Sequence, residues 1–249
     1  MGVTISYKII MKDTVKLQNH GNTKMVAHRG VSGLETENTA AAFIAAGNRS
    51  YWGVETDIYR TIDGNYICNH DGRSGRICEV DLVMEQSTLA ALRALTLKDK
   101  DGKSDRGELK LCLPSEYRKI CEHYGKVCVP ELKSTFTETE IAEILAIFDG
   151  YLDNTVFISF NYHNLELIKA ARPEQKVQFL TGEVDDALIA KLKETSMDLD
   201  IHFQGLTEEK LAACHKAGIV VNCWTVDNQE DAARLIGWGV DQITSNILE

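Results

Sequence analysis

Three short segments decide the fold, and they are MVAHRG at residues 25–30, GVETDIY at 53–59 and NYICNHD at 65–71. Each is an apolar run of strand type that ends at ionisable side chains. Those side chains are His28, Arg29, Glu55, Asp57 and His70. An α/β barrel builds its site in this way, from groups at the carboxyl ends of its strands. Because residues two apart on a strand point to the same face, Glu55 and Asp57 should lie side by side. The segments therefore predict acid–base chemistry beside a divalent cation.

The rest of the chain alternates between apolar runs and amphipathic segments of helical period. The runs lie at 25–28, 53–58, 127–131, 155–160, 176–180, 199–203, 219–225 and 242–244. The helical segments lie at 39–48, 115–124, 137–148, 164–171, 185–194, 207–217 and 228–237. Thr137 before Glu140 is typical of a helix start, and Gly218 is placed as a helix C-cap. Eight strands that alternate with helices predict the α/β class and a closed (β/α)8 TIM barrel. The alternative is an open doubly wound sheet, although no glycine-rich nucleotide motif follows any run.

The alternation is interrupted after the second strand. An Asp-Gly turn precedes residues 66–69, which read as the return arm of a short hairpin. Residues 72–113 form an irregular insertion, which we expect to stand above the barrel mouth and shape the pocket. We interpret residues 1–24 as an N-terminal extension and residues 25–249 as a single barrel domain, because no linker or low-complexity tract divides them.

Net charge, apolar runs and cysteine content limit the kinds of binding partner and the compartment that we expect for this protein. A net charge of −10 argues against a nucleic-acid or anionic-membrane surface. It does not exclude a small anionic substrate, because a metal and a few basic side chains can reverse the local sign of the charge. No apolar run is long enough to insert into a membrane, and the N-terminal segment lacks the apolar stretch of a signal peptide. The seven scattered cysteines lack zinc-ligand spacing and read as reduced thiols of a cytoplasmic protein. The sequence leaves the oligomeric state open.

A third carboxylate is expected to join the acidic pair. Glu131 ends the next barrel strand, and adjacent strands lie about 4.8 Å apart, so it can complete a metal site with Glu55 and Asp57. Oxygen ligands favour Mg²⁺, Ca²⁺ or Mn²⁺ over zinc. The alternative is that Glu55 and Asp57 form salt bridges with Arg29 or Arg60.

Two histidines and two cations complete the predicted site. His28 and His70 flank the acidic pair and suit the roles of acid and base in a hydrolysis. Arg29 and Lys133 suit phosphate oxygens, because Arg offers a planar fork and Lys a compact charge. The remaining candidates for the substrate-binding set are Glu37, which can hydrogen-bond near the pocket, and Trp224, which can wall it.

These residues, in this order, resemble the glycerophosphodiester phosphodiesterase family. The motifs that carry the resemblance are HRG at 28–30, ENT at 37–39, ExD at 55–57, HD at 70–71, ELK at 131–133 and NxWTVD at 222–227. The resemblance implies a TIM barrel that hydrolyses glycerophosphodiesters to sn-glycerol 3-phosphate and an alcohol, using one Mg²⁺ or Ca²⁺ ion. Thr36 departs from the family pattern, in which proline is usual, and the stretch after Asp71 matches only loosely.

The resemblance also implies a role for each residue. His28 and His70 correspond to the acid–base pair. Glu55, Asp57 and Glu131 correspond to the metal ligands, Arg29 and Lys133 to the phosphate binders, and Trp224 to a pocket wall beside the glycerol. Two other functions stay open from the sequence. One is a lysophospholipase D or sphingomyelinase D type of phosphodiesterase, and the other is a catalytically silent barrel that serves as a binding module.

Overall fold

The computed structural model describes residues 13–249. Its strands are β1 (Lys24–Ala27), β2 (Gly53–Arg60), β3 (Tyr66–Cys68), β4 (Val127–Leu132), β5 (Val156–Ser159), β6 (Lys176–Thr181), β7 (Asp198–His202), β8 (Val221–Trp224) and β9 (Gln242–Ser245). Its helices are α1 (Ala40–Gly47), α2 (Leu89–Ala94), α3 (Pro114–His123), α4 (Glu138–Ile147), α5 (Tyr162–Ala171), α6 (Asp186–Glu194), α7 (Glu208–Ala217) and α8 (Gln229–Trp238). Eight of the strands run parallel and alternate with helices, so the predicted (β/α)8 barrel is confirmed.

The barrel closes because β1 pairs in parallel with both β2 and β9. Around the closed sheet the order is β1, β2, β4, β5, β6, β7, β8 and β9, which puts β7 directly across the barrel from β2. The parallel register between β2 and β4 sets Asp57 beside Glu131. The short strand β3 pairs antiparallel with the end of β2, so the predicted hairpin is also present.

The inside of the barrel is apolar on one side and polar on the other. The apolar side consists of Val26, Val129, Val156, Ile158 and Leu180. The polar side is contributed largely by β7, β8 and β9 and consists of Asp200, Asn222, Gln242 and Thr244, all buried. Its side chains hydrogen-bond between neighbouring strands, as when Asn222 on β8 donates a hydrogen bond of 2.8 Å to the Thr244 hydroxyl on β9. Buried polar groups are normally paired in this way, so an unpaired one here is significant.

Local sequence signals explain where the helices begin and end. The Thr137 side chain and Glu140 form a reciprocal capping box at the start of α4, as predicted. The last turn of α7 ends at Gly218, which has a φ of 84°, a conformation that glycine adopts without steric cost. Within residues 13–249, no helix is long and apolar enough to cross a membrane.

The insertion at 72–113 is more ordered than its sequence predicts. It contains the six-residue helix α2, which was not predicted from the sequence. A helix of fewer than two turns is too short to display a helical period in its apolar residues. Its apolar side chains form a separate buried cluster around Met84, Leu92 and Leu97. The insertion therefore has a small core of its own beside the barrel.

Part of the predicted N-terminal extension packs against the other end of the chain. The backbone N–H of Val15 donates to Ile247 at 3.0 Å, and that of Leu17 donates to Glu249 at 2.7 Å. Residues 1–12 of the extension lie outside the described residues.

Candidate active site

An open cavity of about 440 Å³ lies at the carboxyl ends of the strands. Seven of the nine residues singled out from the sequence line it, and these are His28, Arg29, Glu55, His70, Glu131, Lys133 and Trp224. Asp57 is fully buried beneath them, and Glu37 lies beside the cavity, bound to Arg29. All of these residues except Trp224 on β8 converge because β1, β2, β3 and β4 are neighbours, and each delivers its group at the same end of the barrel.

Three carboxylates form the base of this site. Oxygen atoms of Glu55, Asp57 and Glu131 lie within 4.8 Å of one another, and all three residues are buried. Oδ1 of Asp57 is buried and accepts no hydrogen bond from any residue in the range 13–249, although the charged Nζ of Lys133 lies 3.5 Å from it. Burying three acceptors together is unfavourable unless a cation or protons offset their charge. A cluster of carboxylate oxygens, one of them without a hydrogen bond, therefore suits a hard divalent cation such as Mg²⁺ or Ca²⁺.

The carboxylates do not ionise alike. Burial, together with the nearby Asp57, raises the pKa of Glu55 well above its usual range and that of Glu131 to about 7. Burial would raise the pKa of Asp57 as well, but Lys133 and Arg29 outweigh it and hold that pKa below its usual value. Without a cation the cluster thus keeps part of its protons, and Asp57 carries the charge.

Arg29 and Lys133 supply positive charge on either side of the cluster. Lys133 Nζ lies 2.9 Å from Glu131 and 3.5 Å from Asp57. Nε of Arg29 lies 3.6 Å from Asp57, and its backbone N–H donates to Glu55 at 2.7 Å. The alternative salt bridge to Arg29 considered from the sequence is thus present, whereas Arg60 pairs with Glu140 and Glu85 instead.

His28 follows β1 and is held by a neutral amide. Its Nδ1 lies 2.8 Å from Oδ1 of Asn246, whose Nδ2 donates to Asp227 at 2.6 Å. Because the Asn246 amide is oriented by Asp227, its oxygen accepts from His28 Nδ1–H, and Nε2 keeps its lone pair. Burial, and then the charge of Arg29, lowers the pKa of His28 to about 4. His28 is therefore neutral at physiological pH.

His70 follows β3 and is held by a carboxylate. Its Nδ1 donates to Asp71 at 2.7 Å, and about a third of its side chain is exposed. Burial, together with the charges of Arg29 and Lys133, lowers the pKa of His70 below its usual value, although Asp57 and Asp71 oppose part of that shift. The two histidines thus differ in a way that sequence spacing does not reveal, since one faces an amide and the other an anion.

Arg76 connects the insertion to the site and was not predicted from the sequence. Its guanidinium donates to both oxygens of Glu37 at 2.7 Å and to Asp71 at 2.6 Å. Glu37 in turn accepts from Arg29 at 3.0 Å. Of the insertion at 72–113, whose residues are all described, none lines the cavity. The insertion thus acts on the site through Arg76 rather than as the pocket wall that we expected.

The far wall of the cavity is mostly apolar. It is formed by Ile158, Phe160, Leu180 and Trp224, with Phe160 and Trp224 in edge-to-face contact at 5.6 Å. One acidic residue, Asp200 on β7, interrupts this wall and is 1% exposed. Strand alternation could have placed Asp200 on the inner face, but its neighbours gave no sign that it would reach a cavity.

A closed (β/α)8 barrel with catalytic residue types gathered at the carboxyl ends of its strands defines a barrel enzyme, and the motifs point to hydrolysis of phosphodiesters. The model of the glycerophosphoryl diester phosphodiesterase family matches residues 28–248. The chain belongs to this family and is an enzyme.

Relatives with the same overall organisation support this assignment. A glycerophosphodiester phosphodiesterase from Caldanaerobacter subterraneus subsp. tengcongensis is 30% identical over 90% of this chain and 94% of its own length. A phosphodiesterase from Oleispira antarctica, solved in complex with the product sn-glycerol-3-phosphate, has a TM-score of 0.83 at 25% identity, covering 90% of this chain and 92% of that one. A glycerophosphodiester phosphodiesterase from Parabacteroides distasonis has a TM-score of 0.77 at 26% identity, covering 90% and 93% of the two chains.

Proposed function

We propose that the protein hydrolyses glycerophosphodiesters to sn-glycerol 3-phosphate and an alcohol. The observation that carries the proposal is the convergence of two histidines, two cations and three carboxylates on one cavity. Hydrolysis of a phosphodiester needs charge stabilisation at the phosphate and proton transfer at both the entering and the leaving oxygen. The family membership and the product bound in the Oleispira antarctica neighbour support this substrate class.

We assign one divalent ion, Mg²⁺ or Ca²⁺ with Mn²⁺ as a further candidate, to Glu55, Asp57 and Glu131. Their proximity and the absence of a hydrogen bond to Oδ1 of Asp57 among residues 13–249 support the assignment. When bound, the ion would offset the negative charge that develops on the phosphate. Arg29 and Lys133 reach the same region, and we assign them to the remaining phosphate oxygens.

Partner chemistry distinguishes the roles of the histidines. The neutral amide of Asn246 leaves His28 uncharged with a free lone pair, which suits a general base that takes the proton of the attacking oxygen. The carboxylate of Asp71 stabilises a charged His70, which suits a general acid that protonates the departing alcohol. Glu37 holds Arg29 rather than facing the cavity, so we assign it to positioning Arg29.

The test is release of sn-glycerol 3-phosphate from glycerophosphodiesters of choline, ethanolamine, glycerol and inositol. We expect release with Mg²⁺, Ca²⁺ or Mn²⁺ and none with excess EDTA. Glu55→Gln should remove the activity that metal restores, whereas Glu209→Gln, at an exposed position of α7, should not. Full activity in EDTA would refute the metal assignment.

The same assay separates the two alternative functions. An enzyme of the lysophospholipase D or sphingomyelinase D type would release the head group from lysophosphatidylcholine or sphingomyelin faster than from glycerophosphocholine. A silent barrel would release nothing from any of these under any metal condition. Of the large exposed apolar side chains in the described part of the chain, only Phe160 lines the cavity, which offers little surface to an acyl chain.

We also propose the cytoplasm as the location. All seven cysteines are buried and free, which suits a reducing compartment.

A further inference from the structure

The carboxyl group of Asp200 is buried in the cavity wall with one oxygen unused. The residue is 1% exposed, and its side chain contributes to the cavity surface. Oδ1 has no hydrogen-bond partner among residues 13–249. A buried polar atom without a partner costs free energy, so a site that retains one has usually reserved it for a ligand or a bound water.

A second unused group lies on the next strand. Trp224 lines the same cavity, and its indole Nε1–H is buried with no acceptor in the described part of the chain. Asp200 is paired in register with Asn222 on β8, and Trp224 follows Asn222 by two residues, so both side chains belong to the inner face. An acceptor and a donor left unused on neighbouring strands match one partner well, because a hydroxyl group can both donate and accept.

The position of Asp200 relative to the carboxylate cluster determines which hydroxyl of the glycerol half of the substrate can reach Asp200. Strand β7 lies across the barrel from β2, which carries Glu55 and Asp57. If the phosphate is held over the carboxylates, the hydroxyl next to the ester stays near the histidines. The terminal hydroxyl of the glycerol, one carbon further from the phosphate, is the one that can extend toward the opposite wall.

Resting on the function proposed above, we propose that Asp200 is a specificity-determining residue that hydrogen-bonds the terminal hydroxyl of the glycerol half of the substrate. Burial, reinforced by Glu131, raises the pKa of Asp200 to about 8. A largely protonated carboxyl group can donate as well as accept, and it avoids placing another negative charge in a pocket that must admit a phosphodiester.

The test compares two substrates with the same leaving group. One is glycerophosphocholine, and the other is the phosphocholine diester of propane-1,2-diol with the matching configuration at carbon 2. The second retains the hydroxyl beside the ester and lacks only the terminal one, so the chemistry stays available whichever oxygen attacks. We expect the wild type to prefer glycerophosphocholine by about 10- to 100-fold in kcat/KM, the effect of one well-placed buried hydrogen bond.

Asp200→Leu should abolish this preference. Its kcat/KM should fall for glycerophosphocholine and stay within about twofold of wild type for the deoxy substrate. Asp200→Asn keeps a donor and an acceptor and should retain most of the preference. Gln178→Leu is the matched control, because Oε1 of Gln178 is also buried in the barrel without a partner in the range 13–249, but the residue does not line the cavity. It should leave the ratio unchanged.

Two outcomes overturn the inference. One is a wild type that does not discriminate between the substrates, and the other is an Asp200→Leu variant that slows on both alike, as expected if the residue only supports the fold. If the wild type hydrolyses neither of these diesters nor any other glycerophosphodiester of the panel above, the proposed function has failed. Calorimetric binding of sn-glycerol 3-phosphate and its 1-deoxy analogue in Mg²⁺ then decides about Asp200 separately, and equal affinity for both would exclude the assignment.

Discussion

The different partners of His28 and His70 lead to a prediction that depends on the leaving group. Replacing His70 by Ala should lower kcat on glycerophosphocholine by about 10²–10⁴-fold, because choline leaves as an alkoxide that needs a proton. The loss should be much smaller for a glycerophosphodiester of 4-nitrophenol, which departs without protonation. His28→Ala should slow both substrates, because the entering oxygen still needs a base. The measurement is kcat for both substrates and both variants.

His163→Ala provides the control, since this imidazole is largely exposed and pairs with Glu166 on α5. Both substrates should react at the wild-type rate. If the activated leaving group rescues His28→Ala instead of His70→Ala, the two roles are reversed.

Asn38 holds Asp57, one of the proposed metal ligands, although it does not line the cavity. Its Nδ2 donates to Asp57 at 2.8 Å, and its Oδ1 accepts from the Thr56 hydroxyl at 2.7 Å. Asn38 has a φ of 55°, so Asn38→Gly removes the side chain without straining the backbone. We expect affinity for Mg²⁺ to fall by about 10- to 100-fold, as for other residues that orient metal ligands.

The measurement is a calorimetric Mg²⁺ titration of the wild type, of Asn38→Gly and of Asn48→Ala. Asn48 caps the other end of α1, far enough along the helix to leave the carboxylates untouched. Unchanged affinity in Asn38→Gly would show that Asp57 does not depend on this hydrogen bond.

The charged candidate residues of the site could be predicted from sequence motifs, but the residues that hydrogen-bond to them could not. The HRG, ExD and HD patterns singled out residues that the structure brings into one cavity. Asn246 was missed because it lies 218 residues from His28 and belongs to no motif. Asp200 was missed because an acidic residue within a strand resembles any inward polar side chain until the cavity around it is known.

At the level of the elements, the insertion is coupled to the barrel through Arg76. Arg76→Ala would leave Glu37 and Asp71 without their shared cation, and so loosen Arg29 and His70 together. We expect kcat to fall by about 10- to 100-fold, since small displacements of catalytic groups are costly. The free energy of unfolding by denaturant should change little, because Arg76 is nearly half exposed and lies outside the three apolar clusters.

The matched control is Arg73→Ala, which breaks an ion pair with Asp81 within the same insertion. Steady-state kinetics of the two variants on glycerophosphocholine should separate them clearly. Equal, small effects would mean that the insertion does not influence the catalytic groups through Arg76.

The strands were predictable because each is a short apolar run bounded by turn residues, and the barrel followed from their number and alternation. The helix α2 and the separate cluster of the insertion were not predictable, because no periodic pattern marks so short a helix. The closing contacts of β1 with β9 are long-range, and only the assumption of a barrel predicts them.

For the whole molecule, the buried acid groups make stability depend on pH. The folded protein holds the proton of Asp200 up to a pKa of about 8, whereas the unfolded chain releases it near 3.8. As pH rises between these values, ionisation favours unfolding, by up to about 1.4 kcal/mol for each pH unit. Asp200→Asn removes this penalty. In EDTA, its free energy of unfolding should be close to that of the wild type near pH 4 and should exceed it increasingly toward pH 8, by up to about 1.4 kcal/mol for each pH unit.

Urea unfolding across this pH range measures the difference directly. Asp105→Asn, on the exposed charged loop, controls for the loss of one surface carboxylate and should track the wild type. A gap that stays constant with pH would mean that Asp200 is already ionised in the folded protein.

Because β2 and β7 lie on opposite sides of the barrel, the distance between them fixes the width of the cavity. The circumference of a closed sheet is set by strand number and tilt, so the gap between these strands cannot be adjusted by lengthening a loop. If the proposed function holds, a polyol whose phosphate is bound at β2 would meet a wall at a fixed distance on β7. Engineering the enzyme for longer or shorter polyols would require replacing side chains on β7 and β8, while loop grafts would leave this dimension untouched.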